Sequence, residues 1–148
     1  MKPLIRLCAS SIFVLTTISA LAHAQPPSIE EQAVDFRQGV FQSLSWKVGQ
    51  LAAAKAQDDR ATFQKHANDL AYLTGLITEG FIANSLVADS KAKPAVWEDM
   101  AAFNEAAQKM RSMAADVASE DYDMASFDAR NFGREGCGGC HKNFKERH

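Results

Sequence analysis

Nowhere does this 148-residue sequence alternate apolar and polar residues over the length of a strand, which removes sheet-based folds from the start. It has no basic surplus either, with 16 lysines and arginines against 18 acidic residues. Nucleic-acid binding draws on clustered positive charge, so that class is excluded as well. Internal repeats and low-complexity tracts are missing, which rules out solenoids and linkers. Cysteine occurs three times. That is too few for a disulfide framework, and a bridge between the two that lie close together would constrain little of the unfolded chain. Those two cysteines need another reason.

The first segment reads as a leader. Lys2 and Arg6 give a basic start, and "LCASSIFVLTTISALA" is an apolar run too short to span a membrane. Ala22-His23-Ala24 supplies the small-x-small pattern of a cleavage site, so residues 1–24 are expected to be removed and 25–148 to form one domain. Cys8 lies inside the leader without the preceding apolar stretch that lipidation requires. Without Lys2 and Arg6, 14 basic residues face the 18 acidic ones, a net charge of about −4. The domain is expected to be exported, with no membrane association after cleavage.

What remains is rich in alanine and in apolar residues at helical spacing. Ser28 and Glu31 form a capping-box pattern ahead of a helix whose stripe is Phe36, Val40, Leu44, Val48 and Leu51. Asp58 or Asp59 caps a second helix carrying Phe63, Ala67, Leu70, Leu73 and Ile77, with an end predicted near Gly80. A longer connection containing Pro94 leads to a third helix opening at Trp97, with Phe103, Ala107, Met110, Ala114 and Val117 on one face. The last helix is predicted to begin near Asp123 and to run through Met124 and Phe127, weakened locally by Gly133 and Gly136. Short links between helices one and two and between three and four favour antiparallel neighbours in a four-helix bundle.

The conspicuous chemistry is "CGGCHKNFK". Cys137, Cys140 and His141 form Cys-x-x-Cys-His, which in an exported chain reads as covalent haem attachment. Residues three apart on a helix differ by about 60° around the axis and about 4.5 Å along it. Both sulfurs therefore reach one side of a porphyrin, and His141 turns beneath the iron. Two alternatives stay open. A zinc site needs a fourth ligand, which would have to be His66 or His148. A thiol-redox pair normally follows a strand, and no strand signal precedes this one.

Taken together with "DFRQGVF" and "KPAVW", the motif resembles cytochrome c′, the high-spin class II c-type cytochromes of the bacterial periplasm. The resemblance implies an all-α, antiparallel, left-handed four-helix bundle holding one haem c through two thioethers. It implies that Arg37 and Gln38 approach the haem and its propionates, that Lys91 and Ala92 pass its edge, and that Lys145 lies near the proximal His141. Low-spin relatives place a methionine on the first helix, but none occurs between Ser28 and Ala56. Phe41 matches the position that points at the distal face, and phenylalanine cannot bind iron. The expectation is five-coordinate, high-spin iron in a non-enzymatic protein that transfers electrons and binds nitric oxide or carbon monoxide. A low-spin electron carrier and a zinc or thiol module are the alternatives. His66 is expected at the surface and His148 at a frayed end, which leaves no distal acid–base group for peroxidase chemistry. Trp46 reads as core, or as part of a homodimer surface, since relatives commonly pair through their first two helices. The redox partner has no signature in the sequence. Gly133 lies one residue further from Cys137 than is usual, which predicts an irregularity in the helix ahead of the haem motif.

Overall fold

The computed structural model describes residues 26–83, 85–87 and 89–146. The expected leader, Cys8 and His148 lie outside the described residues. Helix α1 (Ile29–Ala56) starts at Ser28, whose hydroxyl accepts from the Glu31 N–H while the Glu31 carboxylate accepts from the Ser28 N–H. This reciprocal box satisfies two of the otherwise orphaned donors at the helix start. Asp58 turns the chain with φ of 54°, a left-handed conformation that aspartate tolerates better than most residues. Asp59 then caps α2 (Arg60–Thr74) through the Thr62 N–H.

Regular helix stops at Thr74, and successive turns carry the chain on to Gly80. Gly80 does not adopt a positive φ, so it is no left-handed helix terminator. Trp97 lies in the one-turn α3 (Ala95–Glu98), and the long third helix of the bundle is α4 (Met100–Ala118), capped by Asp99. Asp123 caps a single 3₁₀ turn at Met124–Ser126, and the last helix starts afresh as α5 (Ala129–Phe132), capped by Asp128. At Gly133–Cys137 the hydrogen bonding widens to a π turn, with the Gly138 N–H donating to the Gly133 carbonyl. Helix α6 (Gly138–Phe144) completes the element. The irregularity expected from the displaced glycine is this π turn.

α1 packs on α2, α2 on α4, α4 on α6, and α5 back on α1, which closes a four-helix bundle. Its interior contains Leu51, Phe63, Leu70 and Phe103, each at most 1% exposed. Burial of each such side chain contributes about 1.5–3 kcal/mol. One end is closed by Phe63 against Phe127 and Tyr122, with ring centroids 5.5 and 6.2 Å away. Lys55 and Arg60 fasten that end by donating to the carbonyls of Phe127, Tyr122 and Glu120. The other end holds Phe41, Phe81, Phe103 and Phe144 and carries the cysteine motif.

Phe36, expected on the core stripe, lies outside it, and Trp46, read as core or as part of a homodimer surface, is at the surface. Phe36 is 43% exposed and Trp46 is 64% exposed. The methionines behave as core residues, with Met110 and Met124 buried and Met100 and Met113 packed against the core. No helix among the described residues is long and apolar enough to cross a membrane.

Candidate haem site

Cys137 closes the π turn, and Cys140 and His141 follow on α6. Gly138 and Gly139 are exposed and present only backbone there. Two cavities, of about 240 and about 260 Å³, lie against this element and share Phe41, Cys140 and His141 as walls. The first is also lined by Arg37, Gln38, Lys91, Ala92 and Lys145, and the second by Cys137. The fold thus gathers every site residue named from the sequence around one bipartite cleft. The Phe41 and His141 rings approach edge to face, with centroids 6.3 Å apart.

The pairing of two extended segments explains why Lys91, Ala92 and Lys145 meet. The Lys93 N–H donates to the Phe144 carbonyl and the Glu146 N–H to the Lys91 carbonyl, both at 2.9 Å. Ala92 and Lys145 thereby form an isolated antiparallel bridge. This bridge latches the chain beyond His141 to the segment ahead of α3.

Arg37 lines the first cavity, yet its hydrogen bonds go elsewhere. Nη1 donates to the Gly80 carbonyl and Ser85 Oγ, and Nη2 to the Ser85 carbonyl and Ser90 Oγ, all at 2.7–2.9 Å. Its guanidinium also lies over the Phe81 ring, 4.8 Å from the centroid. Burial pulls its pKa below the ordinary guanidinium value. Gln38 donates to the Asp89 carbonyl at 2.9 Å.

Neither Cys137 nor Cys140 is disulfide-bonded. Burial raises both thiols, and the neighbouring Cys137 adds to the effect at Cys140, which is pushed up to about 11. His141 is an exposed residue, yet its pKa is lowered, first by desolvation and second by the Lys145 charge. Both effects favour neutral imidazole, the form that binds a metal.

Sequence reasoning missed Phe81 and Phe144 as cavity walls and placed Phe103 only in the core. Phe144 follows His141 by three residues, so helical spacing puts it on the same face and would have revealed it. Phe81 lies in an irregular connection, where no periodicity points to it. His66 is half-buried on α2 and, as expected, is no distal residue. Its side chain is 14% exposed and lies between Lys47, whose Nζ is 3.3 Å from Nδ1, and Asp69. It lines neither cavity. No cluster of three metal-ligating side chains occurs among the described residues, and His66 does not join the motif; His148, the other candidate fourth ligand, lies outside them.

The sequence profile described as Cytochrome C' matches residues 32–145. The chain belongs to the cytochrome c′ family. Cytochrome c′ from Halomonas halodenitrificans is 30% identical over 127 residues, covering 78% of this chain and 96% of the relative. The Rhodospirillum rubrum protein is 28% identical over 142 residues, covering 92% and 94%. Among solved structures, cytochrome c prime from Shewanella frigidimarina superposes with a TM-score of 0.67 at 27% identity, covering 80% of this chain and 97% of that one. Cytochrome c' from Rubrivivax gelatinosus gives 0.66 at 26%, covering 82% and 100%.

This cytochrome c′ is therefore a haem protein whose cofactor is one covalently attached haem c. The cleft suits that group. Two unpaired thiols and an imidazole line it, and its aromatic walls flank two adjoining cavities instead of filling the space with core.

Proposed function

We propose that Cys137 and Cys140 attach the haem, that His141 is its proximal ligand, and that the protein binds small gases and transfers electrons without enzymatic turnover. The haem supplies a redox-active iron with an affinity for diatomic ligands. The protein supplies placement. The two sulfurs hold the macrocycle edge to the π turn and α6, His141 presents a neutral imidazole, and Phe41 occupies the wall shared by both cavities.

The observation that carries this reading is the edge-to-face pair of Phe41 and His141 in a cleft that brings no second iron ligand from α1. Met110 reaches the second cavity, but its sulfur packs against Gly136, next to Cys137, on the element that bears the motif. This arrangement supports five-coordinate, high-spin iron. A crowded apolar face with no hydrogen-bond donor on Phe41 favours weakly polar gases such as nitric oxide and carbon monoxide over bound oxygen. A nitric oxide complex has been solved for a mutant of cytochrome c prime from Alcaligenes xylosoxidans, 21% identical, a likeness that carries the fold alone.

The basic start, apolar run and Ala22-His23-Ala24 pattern support export to the periplasm, with 25–148 as the working domain. Trp46 and Tyr72, 64% and 73% exposed on α1 and α2, support pairing of two copies through those helices. The ferric optical and magnetic-resonance spectrum tests the central point. A high-spin signal is expected, and a low-spin ferric spectrum would sink it. Phe41→Ala is expected to speed ligand entry, measured by stopped-flow nitric oxide or carbon monoxide binding. Unchanged rates would remove Phe41 from the gate.

A further inference from the structure

We infer that Lys47, His66 and Asp69 form an acid-sensitive latch between α1 and α2, set behind the stretch of α1 that walls the second cavity. These three side chains meet away from both cavities. Lys47 reaches across from α1 and is half-buried. Its Nζ donates to Asp69 Oδ2 at 2.6 Å and stands 3.3 Å from His66 Nδ1. His66 and Asp69 are three residues apart on α2, so they share the face turned toward Lys47. Lys65, at an exposed position, donates to the same Asp69 oxygen at 3.1 Å.

The short Lys47–His66 contact fixes the form of the imidazole. An ammonium has donors and no acceptor, so His66 presents a lone pair at Nδ1 and holds its hydrogen at Nε2. A second proton would remove that lone pair and set an imidazolium against an ammonium in a half-buried seam. Asp69, 3.9 Å from Nδ1, offsets this only in part, because one of its oxygens already serves two lysines. Burial, and then the charges of Lys47 and Lys65, hold His66 below the ordinary histidine value against the opposing pull of Asp69. The other helix packed on α2 is α4, and it adds no charge at His66 among the described residues.

What the latch holds is the middle of α1. Leu44, Ser45 and Val48 line the second cavity, and Lys47 belongs to the same two turns. The direction follows from linkage. A histidine depressed in the folded state takes up its proton more readily in the unfolded chain. Stability is therefore full above about pH 6.5 and is lost as pH falls toward the folded value. Mild acid loosens α1 on α2 beside the cavity, by a route that does not pass through the haem motif.

His66→Asn tests this in the haem-loaded protein, since asparagine offers an acceptor near the Nδ1 position and does not titrate. The wild-type urea midpoint should lie about 0.3 M or more lower at pH 5.5 than at pH 7.5, and the variant should lose less than half as much. A smaller wild-type fall, or a variant fall of more than half the wild-type one, would overturn the latch. Hydrogen exchange reads the cavity wall. At pH 5.5 the amides of residues 44–48 should exchange at least about threefold faster in wild type than in His66→Asn, and at pH 7.5 the two should match. Matching rates at pH 5.5 would overturn the link to the wall. Lys47→Met keeps most of the stem and removes the ammonium, so it serves should His66→Asn fail to fold. Its midpoint should fall less steeply with acid than wild type, and an equal or steeper fall would refute the latch.

Discussion

Gly80→Ala should be the most damaging glycine substitution in this protein, and the structure gives its size. Gly80 is buried where the connection crosses α1. A methyl group there would lie 2.7 Å from Arg37 Cβ, 3.0 Å from the Ala33 carbonyl oxygen and 3.1 Å from Phe36 Cδ1. Carbon atoms in contact sit about 3.5–4.0 Å apart, so the two segments would have to separate by about 1 Å. The first two obstacles belong to the helix backbone or its first side-chain atom and cannot swing away. Overpacking of this kind costs about 1–3 kcal/mol. The same separation stretches the 2.8 Å bond from Arg37 to the Gly80 carbonyl, and hydrogen bonds to charged groups are worth about 1.5–3 kcal/mol. A loss of about 2–5 kcal/mol follows, against a typical total of about 5–15 kcal/mol. Urea unfolding of the haem-loaded protein, followed by far-ultraviolet circular dichroism, should show the midpoint falling by more than about 1 M. Gly49→Ala is the control. It lies inside α1 with nothing within 4 Å of the new methyl, and alanine is the better helix former by about 0.8–1.0 kcal/mol. Its midpoint should rise. A Gly80→Ala midpoint within about 0.2 M of wild type would refute the close-approach argument.

Two further outcomes check other parts of the structure. Met110→Leu should leave the ferric spin state unchanged if, as proposed, its sulfur packs on Gly136 instead of binding iron. A spectral change on that substitution would reassign the sixth position. Asp69 accepts from Lys47 at 2.6 Å and Lys65 at 3.1 Å, and these bonds hold its carboxyl below the usual range. A depressed carboxylate stabilises the fold above its unfolded value of about 3.9, and that contribution fades as pH falls through the folded value. Asp69→Asn should therefore lower the urea midpoint at pH 7, with the gap to wild type closing below about pH 4. A gap independent of pH would mean that the charge is not what matters.

Local signals were legible in the sequence and distant ones were not. The Ser28–Glu31 box and the cap of α2 depend on residues three apart, so the pattern located the box and narrowed the cap to Asp58 or Asp59, of which the structure uses Asp59. The cysteine motif was legible from its own spacing, whereas Phe41, one position off the apolar stripe, was named only through the family resemblance. The errors have geometric causes. Steps of four drift by about 40° each, so Phe36 is about 80° away from the direction of Leu44 and emerges at the rim. Trp46 stands about 200° from Leu44, on the opposite face. The end of α2 was misjudged because Gly80 is required by the approach of Arg37 and Ala33, more than forty positions upstream, and not by a helix terminus. The engagement of Arg37 with Ser85 and Ser90 is equally distant in sequence and carries no local mark.

The π turn has a consequence for how the haem motif is aimed. One residue more in a single turn amounts to about 100° of rotation, taken up locally instead of being passed along the helix. Phe132, ahead of the turn, keeps its bearing toward the bundle interior, while Cys140 and His141, beyond it, take a bearing of their own toward the cleft. The last helix therefore works as two dials on one shaft. Deleting a single residue within Gly133–Cys137 would lock them together, and whichever half found its seat would turn the other away from its own.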